Sequence, residues 1–262
     1  MSTEQKTNSG MPVIIIVAVL IVVIVGAYFL YNRSSEQKAA NNINSVKPTP
    51  VAVSNPVIAP EGATPPHMLG SPTAAVTVEE FADFQCPSCG DKYPIIKQVQ
   101  SLYGSRIKFI FRNFPLQMHD KAYDAAVAAE AAGLQDKFWD MQNQLYTNQK
   151  SWSVDPNYRE VWAGYAQKIG LDVEKYKNDM AGLQTKSRVD ADMARGRALQ
   201  VNSTPTVYIN GKSVQYTDMT VETMRQLIDS ELQAASTASR PAVNTAGTAP
   251  VNTNQKANAN QK

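Results

Sequence analysis

From Pro12 to Tyr31 the chain carries no charged residue, and Val13 to Val25 is almost entirely Val, Ile, Leu and Ala. Twenty residues at helical rise reach about 30 Å, the thickness of a hydrocarbon core. A buried helix of a soluble domain would show a polar face, which this run lacks. A cleaved signal peptide would have a shorter apolar region and a small-x-small site, and none precedes Asn32. Residues 11–31 are therefore expected to be an uncleaved, single-pass membrane anchor behind a short polar N-terminus, residues 1–10. By charge alone, Lys6 before the run against Arg33 and Lys38 after it favours a cytoplasmic location for the rest of the chain. Against that count, the rest of the chain is expected outside the cytoplasm, for a reason that lies in its two cysteines, Cys86 and Cys89.

Beyond the anchor, residues 32–66 hold Pro48, Pro50, Pro56, Pro60, Pro65 and Pro66 and read as a semi-extended linker. Residues 236–262, rich in Ala, Asn, Thr and Gln, have too little apolar surface to fold and read as a disordered tail. Residues 67–235 are left to form one domain with a sizeable core. A net charge of +2, with no basic cluster interleaved with aromatics, gives no reason to expect a nucleic-acid partner.

Within that domain, Ala75–Phe84 and Ile107–Phe111 read as strands flanking a helix over Pro87–Tyr103 that Gly104 ends. Helical segments come next over Ala122–Ala132, Lys137–Tyr146, Tyr158–Ile169 and Asp172–Leu199, the last with a break near Gly182. Thr206–Ile209 returns to strand. Asn210–Gly211 is a two-residue hairpin signal, so Ser213–Tyr216 is expected to pair back before a closing helix over Val221–Leu232.

Only two cysteines occur, Cys86 and Cys89. A disulfide between them closes almost no loop and adds little stability, so the pair asks for a chemical explanation. It sits where strand gives way to helix. Pro87 suits the first helical turn, where its missing N–H has no partner to lose. Cys86 then lies at the helix N-terminus, whose unpaired N–H groups and dipole favour a thiolate, and Cys89 is one turn on. Cys86 is expected to be the exposed attacking sulfur and Cys89 the shielded resolving one. Three other readings compete. His67 and His119 would complete four zinc ligands in number, but neither shows ligand spacing. The thiols could hold Cu(I), but the methionines are scattered and no further Cys/His cluster accompanies them. They could also be two small buried apolar side chains.

With these residues placed, the stretch from Met68 to Leu232 resembles the DsbA-like branch of the thioredoxin superfamily. The likeness rests on Phe81-Ala82-Asp83-Phe84-Gln85-Cys86-Pro87-Ser88-Cys89, on Phe111-Arg112-Asn113-Phe114-Pro115-Leu116 and on Ser203-Thr204-Pro205-Thr206. It implies an α/β thioredoxin-like fold with an inserted helical domain over about 118–200. It implies Cys86 as nucleophile, Cys89 as resolving cysteine, and Pro205 as a cis-proline facing them, leaving the Thr204 backbone free to pair with an extended substrate. Glu80, six residues before Cys86, matches a buried acid that relays the proton of Cys89, although adjacent Glu79 is an alternative inward residue. Ser88 stands where strongly oxidising relatives often carry His, which points to a weaker thiolate. His119 fits the pattern without an assigned role. The implied activity is thiol–disulfide exchange without metal or organic cofactor, oxidising unfolded or reduced exported proteins outside the cytoplasm. A quinone-linked membrane partner would reoxidise the pair. A membrane-tethered reductase or isomerase would use the same residues in the other direction.

Overall fold

The computed structural model describes Tyr28 and residues 59–238. The chain divides into two units, Met1–Pro56 and Val57–Lys262, and the described residues other than Tyr28 belong to the second. Nearly all of the expected anchor and linker, and the tail beyond 238, lie outside the described residues. Among the described residues no helix is long and apolar enough to cross a membrane.

Five strands form one sheet: β1 (His67–Gly70), β2 (Val76–Ala82), β3 (Ile107–Asn113), β4 (Thr206–Ile209) and β5 (Lys212–Val214). Their order is β1-β3-β2-β4-β5. Only β2 and β3 run parallel, joined by helix α1 (Pro87–Tyr103), while β1, β4 and β5 pair antiparallel. Six helices lie between β3 and β4: α2 (Ala122–Gly133), α3 (Phe138–Thr147), the single turn α4 (Gln149–Trp152), α5 (Tyr158–Lys168), α6 (Val173–Ala181) and α7 (Leu183–Ala198). Helix α8 (Val221–Ala238) closes the chain and packs on α1 and β2. The thioredoxin-like sheet with a helical insertion is therefore present.

Both faces of the sheet are covered, so β2 is buried along nearly its whole length. Alternation sends Val76, Val78, Glu80 and Ala82 to one face and Glu79 and Phe81 to the other. The first face meets Ile96 and Val99 of α1 and, through Phe109 and Phe111 of β3, the aromatic side of the insertion. The second face meets α7, where Phe81, Phe114 and Val201 form a smaller core. Helix α2 is buried almost all round. Its run of alanines lets neighbouring helices approach closely, and its one buried carboxylate, Glu130, accepts from Asn113 Nδ2 at 2.7 Å and Arg188 Nε at 2.6 Å.

Several boundaries differ from the sequence expectation. His67–Gly70 is an edge strand against β3, although four residues after a Pro-Pro pair show no readable alternation. Residues 59–66, expected as the end of the linker, are held to the domain. Ala63 is 3% exposed, its N–H donates to Asp192 Oδ1 at 2.8 Å, and its carbonyl accepts from Arg112 Nη1 at 3.0 Å. Pro60, Thr64 and Pro65 carbonyls accept from Arg195 and Arg188. Gly182 splits the long helix as expected, standing as the cap shared by α6 and α7. Asn210 and Gly211, both at positive φ, make the hairpin turn, but the returning strand is Lys212–Val214, and Tyr216–Asp218 is a 3-10 turn. Helix α8 continues to Ala238, six residues past its expected end and into the stretch assigned to the tail. Its last residues are helix-permissive Gln, Ala and Ser, which extend a helix once it is nucleated.

Gly196 marks the closest approach of α7 to the sheet. A Cβ there would stand 2.5 Å from the Phe114 ring and 3.1 Å from Phe81. Gly196→Ala is expected to destabilise the domain by about 1–3 kcal/mol through overpacking. Urea unfolding checks this, since a helix-propensity gain alone would make the variant more stable.

Candidate active site

Strand β2 ends at Ala82 and the chain turns through Asp83–Gln85 into α1. Asp83 organises this turn. Its Oδ1 accepts from the Gln85 N–H at 2.7 Å, and its Oδ2 accepts from the Leu116 N–H at 3.0 Å and lies 2.6 Å from His119 Nδ1. Cys86 comes next as N-cap, in an extended conformation, with Pro87 at the start of the helix and no side-chain cap bond. The N–H groups of Ser88 and Cys89, at the start of α1, face the sulfur, and that of Cys89 also reaches the Cys86 carbonyl at 3.1 Å.

Cys86 and Cys89 are both free thiols, 6% and 1% exposed. The expectation of an exposed attacking sulfur needs correcting: Cys86 is more accessible than Cys89 but is itself covered. The cover is the loop before β4, which lies over the helix start. Cys86 Sγ donates to the Thr204 carbonyl at 3.3 Å, and the Thr204–Pro205 peptide is cis. The Thr204 hydroxyl is buried without a hydrogen-bond partner among the described residues. Beside it, a groove of about 260 Å³ runs along Ser203, Pro205, Thr206, Gln215 and Tyr216.

The two sulfurs ionise very differently. A hydrogen bond from Cys89 is the largest influence pulling the Cys86 thiol down, to about 5. Burial opposes it, and Thr204 and the N–H groups of Cys89 and Ser88 add to it. The weaker thiolate expected from an uncharged Ser88 is not what the site gives: the Cys89 side chain, Thr204 and two backbone N–H groups lower the Cys86 thiol with no charged side chain at position 88. Cys89 is pushed the other way, by burial first and by Cys86 second. The Asp83 N–H reaches its sulfur at 3.5 Å.

Both glutamates of β2 are buried, on opposite faces. Glu79 meets Arg112 Nε and Arg195 Nε and Nη2, each at 2.8 Å. Burial opposes its charge, but these two guanidinium groups outweigh it and hold the carboxyl below its usual range. Glu80 lies on the cysteine side of the sheet with no cation paired to it among the described residues, and burial lifts it to about 8. The question of which glutamate points inward therefore resolves through the sheet being covered on both sides: both do, and only Glu80 lacks a counter-charge.

Neither histidine joins the thiols. His67 Nε2 bonds Glu130 at 2.8 Å and its ring stacks on Phe138, and His119 is the partner of Asp83. Among the described residues no group of three or more His, Cys, Asp or Glu is placed to hold a metal. Sequence reading missed three residues at this site. Asp83 lies inside the cysteine motif itself. Tyr146, tilted against Phe84 with its hydroxyl buried and without a hydrogen-bond partner among the described residues, and Gln149, bonded to the active-site turn, lie more than fifty residues on and in no motif.

A family model described as Thioredoxin matches residues 63–230. The chain is 37% identical over 149 residues to "Na(+)/H(+) antiporter NhaA 1" of Mycolicibacterium gilvum, covering 56% of this chain and 23% of that protein. It is 33% identical over 168 residues to the protein of the same name from Mycobacterium sp. strain KMS, covering 63% and 26%. The chain thus spans about a quarter of the length of these curated relatives. Among solved structures, oxidised BdbD from Bacillus subtilis superimposes with a TM-score of 0.57 at 26% identity, covering 67% of this chain and 98% of that one. The thiol–disulfide exchange protein alpha-DsbA2 of Wolbachia pipientis gives 0.54 at 21% identity, covering 62% and 85%, a likeness of fold.

Burial of Glu80 makes a pH prediction. Its folded-state pKa is raised, so its contribution favours the native state below the unfolded value of about 4.5 and is lost as pH rises through about 8. Glu80→Gln keeps the shape and removes the titration. It is expected to match the parent in stability near pH 4.5 and to exceed it by a few kcal/mol above pH 8, read from denaturant unfolding at the two pH values.

Proposed function

This chain belongs to the thioredoxin family, and from that premise we propose that it is a thiol–disulfide oxidoreductase that donates the Cys86–Cys89 disulfide to reduced proteins. The observation that carries the reading is the split between the two sulfurs: Cys86 ionises at about 5 beside a buried partner held protonated. A thiolate is the species that exchanges, and a stabilised one is also a good leaving group.

In the oxidised protein, a substrate thiolate attacks Cys86 Sγ. The Cys86–Cys89 bond breaks, a substrate–Cys86 bond forms, and Cys89 leaves, taking a proton from Glu80, whose pKa near 8 keeps it a carboxylic acid at neutral pH. A second substrate thiolate then attacks the substrate sulfur of the mixed disulfide. Cys86 departs as a stable thiolate. Two substrate thiols have lost two electrons and the enzyme disulfide has gained them. The Thr204 hydroxyl, without another partner, is placed to donate to that thiolate, and the groove along Pro205 suits an extended segment of an unfolded chain.

The low pKa of Cys86 also argues for direction. Stabilising the thiolate stabilises the reduced enzyme, which makes the disulfide form oxidising. This favours disulfide donation over the reductase or isomerase reading of the same residues. For the Cu(I) reading, the two thiols belong to no group of three or more His, Cys, Asp or Glu placed to hold a metal among the described residues. Substrates are then unfolded or reduced exported proteins, and the place of action is extracytoplasmic, at the periplasmic side or cell surface. The apolar run before the domain serves as a single-pass anchor, and a quinone-linked membrane partner restores the disulfide. A matching segment inside chains named Na(+)/H(+) antiporters accords with work at a membrane.

Cys86→Ala is expected to abolish oxidation of a reduced, unfolded protein, and Cys89→Ala to accumulate mixed disulfides visible on non-reducing gels. Full activity in Cys86→Ala would falsify the assignment. Alkylation of the reduced enzyme should follow a titration with its midpoint at about pH 5. Because this folded-state pKa is depressed, its contribution to the stability of the reduced form is complete above about pH 9 and lost as pH falls through about 5. Reduced protein that gained no stability over Cys86→Ser between those values would contradict it. Thiol trapping in the native cell tests direction, with a resting disulfide expected.

A further inference from the structure

Gln149 belongs to the helical insertion, yet its amide sits on the active-site turn. Nε2 donates to the carbonyl oxygens of Phe84 and of Cys86, each at 2.8 Å. The side chain is buried, and the Gly90 backbone comes so close that a Cβ there would stand 2.3 Å from Oε1. The amide is braced from behind. Gln149 opens α4, whose Trp152 is fully buried and donates Nε1–H to the Leu145 carbonyl at 2.7 Å.

One of these carbonyls belongs to Cys86 itself and the other to Phe84, two residues before it, so the amide spans the turn that carries the reactive sulfur. The Cys86 carbonyl already accepts the N–H groups of Cys89 and Gly90, each at 3.1 Å. A carbonyl turned toward a thiolate opposes its charge, and in a buried site that opposition is strong. Donors placed on the oxygens offset it and keep them turned away. They also hold the turn so that the first N–H groups of α1 stay aimed at Cys86.

We propose that Gln149 is a positioning residue of the exchange centre: by holding the Phe84 and Cys86 carbonyls, it stabilises the Cys86 thiolate and sets how oxidising the cysteine pair is. The insertion then tunes the chemistry of a site built on another part of the fold. The inference rests on Cys86 and Cys89 being the exchanging pair.

The test compares the full chain with Gln149→Ala and Gln149→Glu, following thiolate absorbance at 240 nm against pH and the equilibrium of the pair with glutathione. Gln149→Ala removes both donors. The midpoint of thiolate formation is expected to rise by about one pH unit. The glutathione equilibrium should move about tenfold toward the disulfide form, a potential lower by about 30 mV. Gln149→Glu keeps the shape but aims a carboxylate at the same carbonyls, and the shift should be larger in the same direction. It carries the test should Gln149→Ala fail to fold, with circular dichroism as the check. Folded variants with unchanged midpoint and equilibrium would show that Gln149 only packs, and overturn the proposal. An unsubstituted protein whose cysteines do not exchange with glutathione would instead defeat the underlying reading, a result separable from the first.

Discussion

A hydrogen bond between two thiols one helical turn apart, made at a helix start with no side-chain cap, is the interaction on which the rest of the site depends. It draws the Cys86 thiol toward its ionised form, and Thr204 and the N–H groups of Cys89 and Ser88 add to it without a cationic side chain among the causes. The same turn buries Cys89 beneath the sheet end, where losing a proton is costly. One local geometry therefore separates two chemically identical groups three residues apart. The separation survives only if the turn is held, and it is held from three sides: by the Asp83 carboxylate, by the loop carrying Pro205, and by Gln149.

Each of these holds comes from a different part of the chain. Asp83 is itself fixed by Leu116 and His119 from beyond β3. The insertion reaches the site through α4 and is bound to the sheet through Glu130, which joins Asn113 of β3, His67 of β1 and Arg188 of α7. On the opposite face, buried Glu79, Arg112 and Asp192 and half-buried Arg195 form a second set that also grips residues 60–63. Breaking one partner in such a set leaves a buried charge uncompensated, which costs far more than the pair contributes when intact. The consequence is a rigid frame under the proposed exchange centre.

Much of the fold was legible because its signals are local. The bounds of α1 follow from Pro87 and Gly104, those of β4 from a short β-branched run, and the hairpin from Asn210–Gly211. What escaped were elements whose stability is borrowed. Strand β1 has four residues and exists because β3 offers it an edge. Residues 59–66 look like linker because their composition is that of linker, and three arginines and an aspartate distant in sequence hold them in place.

The amino-acid sequence by itself determined the chemistry available: two thiols one helical turn apart, a proline to start the helix between them, and carboxylates in the strand before. Those are short-range facts, set by residue type and spacing. Tertiary structure alone decided the electrostatics: that Cys86 lies under Thr204 rather than open to water, that Glu80 and not Glu79 goes without a cation, and that Gln149 completes the turn. Burial and hydrogen bonding act through space, and the groups they bring together stand tens of residues apart along a chain whose local pattern records no trace of the meeting.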